Sequence, residues 1–196
     1  VTLATMGMAR GLGLIYSGGY PISGIPGWIS WFGVGRVGFV PVPVIIMVVI
    51  YAAAWVLLQR TPFGRHVYAL GGNETAARLS GVKTQRVKLA VYGISGLTAA
   101  LAAVILTGRL MSGQPNAGVG FELDAIAAVF IGTAFNRLGR VSIAGTLGGV
   151  LFLAIIDNGL NLMGLNYLVK DALVGVILVV ALALSFWQAR LRQTHR

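Results

Sequence analysis

The side chains able to do acid–base or metal chemistry in this 196-residue chain are few: five carboxylates, two histidines and no cysteine. Glu122 and Asp124 are the one pair of carboxylates close in sequence. A general acid and its base must face a common substrate, yet residues two apart on a helix point to different faces. The helix macrodipole, positive at the N-terminus, accounts for these two acids better than catalysis does. His66 and His195 fall in polar, basic segments, so neither a metal cluster nor a Ser/His/Asp arrangement can be assembled around them. No GxxxxGK[ST] phosphate cradle is present, so the chain binds no ATP through a P-loop. Asn73-Glu74-Thr75 has the form of a glycosylation acceptor, but its segment reads as cytoplasmic, where such a site is unused. The chemistry excludes an enzyme and leaves a chain whose polar residues bind, couple or line a path.

The elements around these residues are apolar. Hydrophobic residues make up 57% of the chain and charged ones 10%, with a mean hydropathy of +0.84. A soluble domain carries roughly 25% charged residues. This is the composition of an all-α integral membrane protein, and the 28 glycines suit helices whose backbones approach closely. The net charge of +10 does not point to nucleic acid, because the basic residues gather at the ends of apolar runs and not along one face.

Taken in order, residues 1–17 form a helix candidate interrupted by Arg10, with Gly7 and Gly11 as a GxxxG contact pair. The chain opens at Val1 inside this apolar run, without an initiator Met or visible signal peptide, and is read as the C-terminal part of a longer protein or as a truncated gene product. Residues 18–41 are loop or short broken helix by their glycines and prolines, with Tyr16, Tyr20, Trp28, Trp31 and Phe32 as an interfacial aromatic belt. Residues 42–58 are a continuous apolar run, and residues 89–108 hold no charge at all, with Gly93, Ser95 and Gly96 as a small-residue packing face. Residues 110–120 read as a loop, and residues 125–136 as a crossing that is short or re-entrant. Residues 141–156, with a second GxxxG at Gly145 and Gly149, and residues 172–187 complete a polytopic bundle of about six spans.

Between two of these runs lies the polar stretch 60–88. It holds six basic residues (Arg60, Arg65, Arg78, Lys83, Arg86, Lys88) and one acid, Glu74. Such a block cannot sit in hydrocarbon, where each central charge costs about 2.5–3.5 kcal/mol. At roughly 29 residues it is also far longer than a turn requires. Placing it in the cytoplasm and alternating sides puts the turn at 136–140 and the C-terminal tail there too. Those three regions hold eleven of the fifteen basic residues but only one of the five acids. Within the stretch, Asn73 is placed as an N-cap, Glu74 lies in the first turn, Ala76, Ala77, Arg78 and Leu79 favour helix, and Gly81 stands at the stop. The spacing predicts a short capped helix over 74–80 after a break at Gly71-Gly72. It is suited to act as a lever that docks on a soluble partner, and equally to be a structural helix lying at the membrane interface.

The stretch TPFGRHVYALGGNETAARLSGV resembles the signature of permease subunits of ribose/xylose-type ABC sugar importers. Glu74, Ala76, Ala77 and Gly81 echo the wider EAA…G pattern of importer permeases. The segments at 112–132, 144–146 and 157–162 (SGQPNAGVGFELDAIAAVFIG, AGT and DNGLNL) are similar to the same family, and the opening TLATMGMARGLGL to a mid-chain segment of it. Thr133, Leu138 and Val141 stand where the family pattern has glycine. The resemblance implies a multi-pass permease of the bacterial inner membrane, with its C-terminus in the cytoplasm. It forms a single membrane domain over 1–196, in which 60–88 is the cytoplasmic coupling loop. The implied partners are a second permease subunit, identical or paralogous, two ATPase subunits that carry the ATP and Mg, a periplasmic solute-binding protein, and membrane lipid. The implied function is import of a monosaccharide-type solute by alternating access. Gly71, Gly72, Asn73, Glu74, Ala76, Ala77, Arg78, Leu79 and Gly81 are the expected contact with the ATPase. Gln114, Asn116, Glu122, Asp124, Asp157, Asn158 and Asn161 are the polar groups expected along the path, since polar intramembrane groups face the bundle interior. Helix capping and helix–helix hydrogen bonds would account for each of them singly.

Overall fold

The computed structural model describes residues 2–134, 141–164 and 175–176. The chain divides into two units, Val1–Gly118 and Val119–Arg196.

The first unit contains α1 (Thr2–Ser17), α2 (Gly27–Val34), a hairpin of β1 (Arg36–Val37) and β2 (Val40–Pro41), then α3 (Val42–Arg60), α4 (Pro62–Gly72), α5 (Glu74–Leu79) and α6 (Thr84–Leu110). The apolar run after Pro41 becomes α3 because it carries no charge before Arg60, and Pro43 sits in the first turn, where a missing N–H costs no helical bond. Segment 18–41, expected as loop or broken helix, holds the eight-residue α2 and the two-residue strands, which pair antiparallel as Arg36 with Pro41 and Val37 with Val40. α2 lies against the end of α6 with almost no space between the backbones. A side chain on Gly33 would enter the Gly108–Arg109 backbone, and one on Gly108 would enter the carbonyl of Ile29. Beyond α6 the chain is pinned by a two-way bridge, in which the N–H of Ile22 donates to the carbonyl of Gly113 at 3.0 Å and that of Gly113 returns the bond at 2.9 Å.

The stretch 60–88 is not a loop holding one short helix. It is the end of α3, two helices, and the beginning of α6. α4 starts at the membrane exit because Thr61 caps it, accepting from the N–H of Gly64 at 3.4 Å while its hydroxyl donates to the Leu57 carbonyl at 2.5 Å, and because Pro62 fits the first helical position. Gly64 permits the sharp turn, since a Cβ there would run into the backbone of Leu58. Phe63, Val67 and Leu70 recur at helical spacing on the half-buried face of α4, while Arg65 and His66 are exposed. The helix continues through Gly71 and Gly72, so the break falls at Asn73. α6 likewise begins at Thr84, which places Arg86 and Lys88 on its opening turns.

The second unit contains α7 (Phe121–Ala134) and α8 (Ile143–Leu162). They run antiparallel and share the core cluster Ala127, Ala128, Ile131 and Leu153, with Val150 packed on it. Their contact is made by glycine. A Cβ on Gly149 would enter the Ala128 carbonyl, and one on Gly132 would meet the Gly145 backbone at 2.5 Å. The second GxxxG therefore marks a helix crossing, as expected. The first does not among the described residues, for side chains at Gly7 and Gly11 would meet nothing within 4 Å, and neither would side chains at Gly93 and Gly96.

Among the described residues, three helices are long and apolar enough to cross a membrane: α3 with 19 residues, α6 with 27 and α8 with 20. α1 with 16 described residues and α7 with 14 also form where spans were expected. The expected span at 172–187 and the basic turn at 136–140 lie outside the described residues, apart from residues 175–176, which are helical. The protein is an all-α membrane protein by its described elements, with one two-residue hairpin.

Candidate functional site

α5 is six residues long, well below the length at which an isolated helix holds in water, so its ends decide whether it exists. Asn73 serves two helices at once. Its backbone N–H donates to the Ala69 carbonyl at 3.1 Å and closes α4, while its Oδ1 accepts from the N–H of Ala76 at 3.0 Å and opens α5. At the other end Gly81 takes φ +83, the N–H of Gly81 donates to Arg78 at 3.0 Å, and that of Val82 donates to Ala77 at 3.1 Å. These are the two bonds of a Schellman stop, and the left-handed residue it needs is the glycine the sequence provides. The expected helix at 74–80 thus forms as α5 over 74–79, with both expected caps in place.

The helix stands on one residue. Ala77 is 5% exposed, whereas Glu74, Thr75, Ala76 and Arg78 are exposed and Leu79 is 84% exposed. α5 packs against α4 and α6, and four residues, Ser80 to Lys83, join it to the latter. Glu74 does not pair with Arg78 one turn along its own helix. Its Oε1 accepts from Lys88 Nζ of α6 at 2.5 Å. Sequence reasoning missed Lys88 here, because a pairing across fourteen residues and a chain reversal has no local signal. At the opposite corner of α4, the Arg60 guanidinium lies 5.2 Å from the centre of the Trp55 ring, a cation–π contact at the end of a spanning helix. Replacing Asn73 by alanine removes the N-cap at a cost of about 1 kcal/mol. Amide hydrogen exchange over residues 74–79 should then quicken about fivefold, a change readable by mass spectrometry.

The polar residues expected along a path are divided between the units. Gln114 and Asn116 are exposed residues of the connection after α6, in the first unit. The other five belong to the second unit. Because Gly132 lies by Gly145 and Ala128 by Gly149, the first turn of α7, with Glu122 and Asp124, and the last turns of α8, with Asp157, Asn158 and Asn161, occupy the same end of the helical pair. Asp124 and Asp157 are half-buried there, and Glu122, Asn158 and Asn161 are exposed.

Residues 1–182 match the family profile described as branched-chain amino acid transport system / permease component. The chain is similar to the ribose import permease protein RbsC of Bacillus subtilis (strain 168), with 48% identity over 94% of this chain and 58% of the relative. It is also similar to RbsC of Escherichia coli (strain K12), at 44% identity over 92% and 57% respectively. The L-arabinose transport system permease protein AraH of the same strain is 35% identical over 98% of this chain and 59% of its own length. The chain thus spans a little under three fifths of these relatives. No solved structure matches it at a significant level. Spanning helices, a capped exposed helix between two of them, and a profile match over most of its length agree: the chain belongs to the family of transport-system permease components.

Proposed function

We propose that this chain forms the membrane-spanning part of a binding-protein-dependent ABC importer that carries a monosaccharide-type solute into the cytoplasm. The family description names amino acids, but relatives named for ribose and arabinose import support a sugar. The observation that carries the reading is α5: a helix fixed by a cap at each end, seated on Ala77, and presenting Leu79 and Arg78 outward beside the long span α6. Such a helix is built to be gripped. In this reading Gly71, Gly72, Asn73, Glu74, Ala76, Ala77, Arg78, Leu79 and Gly81 dock in a cleft of a partner ATPase, which holds the ATP and Mg. The docked helix passes closure of the ATPase pair to the spans, and a second permease subunit and a periplasmic solute-binding protein complete the machine. The segment 60–88 and the C-terminus face the cytoplasm of a bacterial inner membrane in this reading, which the excess of basic residues in both supports. Gln114, Asn116, Glu122, Asp124, Asp157, Asn158 and Asn161 supply polar groups toward the path. They are suited to hydroxylated solutes because they offer both donors and acceptors.

The test is recovery of the partner. The full-length permease is extracted in mild detergent, as wild type and with residues 72–81 replaced by a Gly/Ser linker of equal length. The wild type is expected to bring down a P-loop ATPase and the linker variant to lose it. A well-folded wild type that recovers no ATPase would return the function to a channel or secondary transporter.

A further inference from the structure

We infer that Lys88 is a positioning residue, whose ion pair with Glu74 ties the N-terminal end of α5, which otherwise follows α4 through Asn73, to α6, so that movement of α5 is delivered to the longest of the described spanning helices. The inference rests on α5 being the docking helix. Glu74 has a partner at hand on its own helix in Arg78, four residues on, the spacing at which helical ion pairs form. Among the described residues its one ion pair is instead with Lys88, on the second turn of α6. That choice has a mechanical consequence. α5 is joined covalently to α6 only through Ser80 to Lys83, at its C-terminal end. Glu74 lies at the other end, about 9 Å away at the helical rise. A helix held to α6 at one end only can swing with α4 about its linker and leave α6 in place. Held at both ends, it cannot swing without breaking the pair, and a push on its exposed face becomes a push on α6. The buried residues nearby fit this arrangement, with Ala77 on α5 and Thr84 and Val87 on α6, while Arg86 and Lys83 stay exposed and free for other contacts. Glu74 and Lys88 are each about half exposed (54% and 46%), so the pair contributes through geometry more than through stability.

The experiment uses the full-length permease with its ATPase and binding protein in proteoliposomes, and reads solute imported per ATP hydrolysed. Lys88→Glu and Glu74→Lys should each lower that ratio by about fivefold, the upper range for an exposed pair. The double exchange, Glu74→Lys with Lys88→Glu, should restore most of it, and Lys88→Arg should retain it. A merely structural role would lower the amount of assembled transporter and leave the ratio alone. A parallel cross-link from Thr75→Cys to the ATPase separates the two ways of failing. If the wild-type background gives no cross-link, the docking reading falls and this inference falls with it. If it cross-links but the double exchange stays as low as the single reversals, the ion-pair inference alone is overturned.

Discussion

Replacing Gly149 by leucine lowers the stability of the full-length permease by about 3 kcal/mol, the upper range for forcing bulk into a closed contact. The reason is the kind of atom in the way. A Cβ at this position falls on the Ala128 carbonyl and 3.1 Å from the Gly132 backbone nitrogen, and neither can rotate aside as a side-chain tip could. The helices must part. Parting them opens the cluster in which Ala127 is fully buried and Ala128 2% exposed. In lipid this contact has no hydrophobic drive behind it, since the acyl chains are as apolar as the helix faces, so close packing is what holds the pair. Gly159 lies on the same helix, yet a Cβ there meets nothing within 4 Å. Gly159→Ala should therefore be neutral or stabilising by up to about 1 kcal/mol, from the lost backbone freedom of glycine. The midpoint of SDS-induced unfolding, followed by circular dichroism, separates the two variants. A Gly149→Leu protein that unfolds with the wild type would mean that α7 and α8 do not cross here.

That pair of glycines also shows where the sequence was legible. Gly145 and Gly149 were readable as a contact face, but the same four-residue spacing at Gly7 and Gly11 meets open space among the described residues. The pattern gives a face that could be approached and never the partner that approaches it. Gly33 and Gly108 make the reverse case: no motif joins them, and only the folded chain brings the α2 and α6 backbones together. The long spans were legible because α3 and the body of α6 are charge-free runs closed by basic residues, a signal set by bilayer thickness alone. α5 was legible because Asn73 and Gly81 are capping chemistry, which acts over three or four residues. α4 was legible only at its start, where Thr61-Pro62 reads as a turn or helix start; the Gly71-Gly72 pair reads as a break, whereas it is carried as the last helical turn. The Glu74–Lys88 pair was hidden, being tertiary.

Replacing Gly81 by proline should reduce solute import by more than tenfold while the chain still inserts, because coupling in this reading depends on α5 being a rigid body. Proline fixes φ near −65° where the stop needs +83, and it removes the N–H that donates to the Arg78 carbonyl. With one of its two caps gone, a six-residue helix keeps the Asn73 end, the Ala77 contact and the half-exposed Glu74–Lys88 pair, too little to offset the entropy of ordering it. A frayed α5 can still touch a partner, but it cannot transmit displacement. The prediction is graded by backbone chemistry. Gly81→Asn should keep most of the import, since asparagine enters the left-handed region readily. Gly81→Ala should lose part of it, for the left-handed strain of about 1–2 kcal/mol. No side-chain contact explains that order, because a Cβ at Gly81 meets nothing within 4 Å. Uptake in membrane vesicles holding all the partner subunits, normalised to inserted permease, measures the series. Equal import by the proline and asparagine variants would show that α5 need not be a stopped helix, and that the force from the ATPase enters the membrane elsewhere.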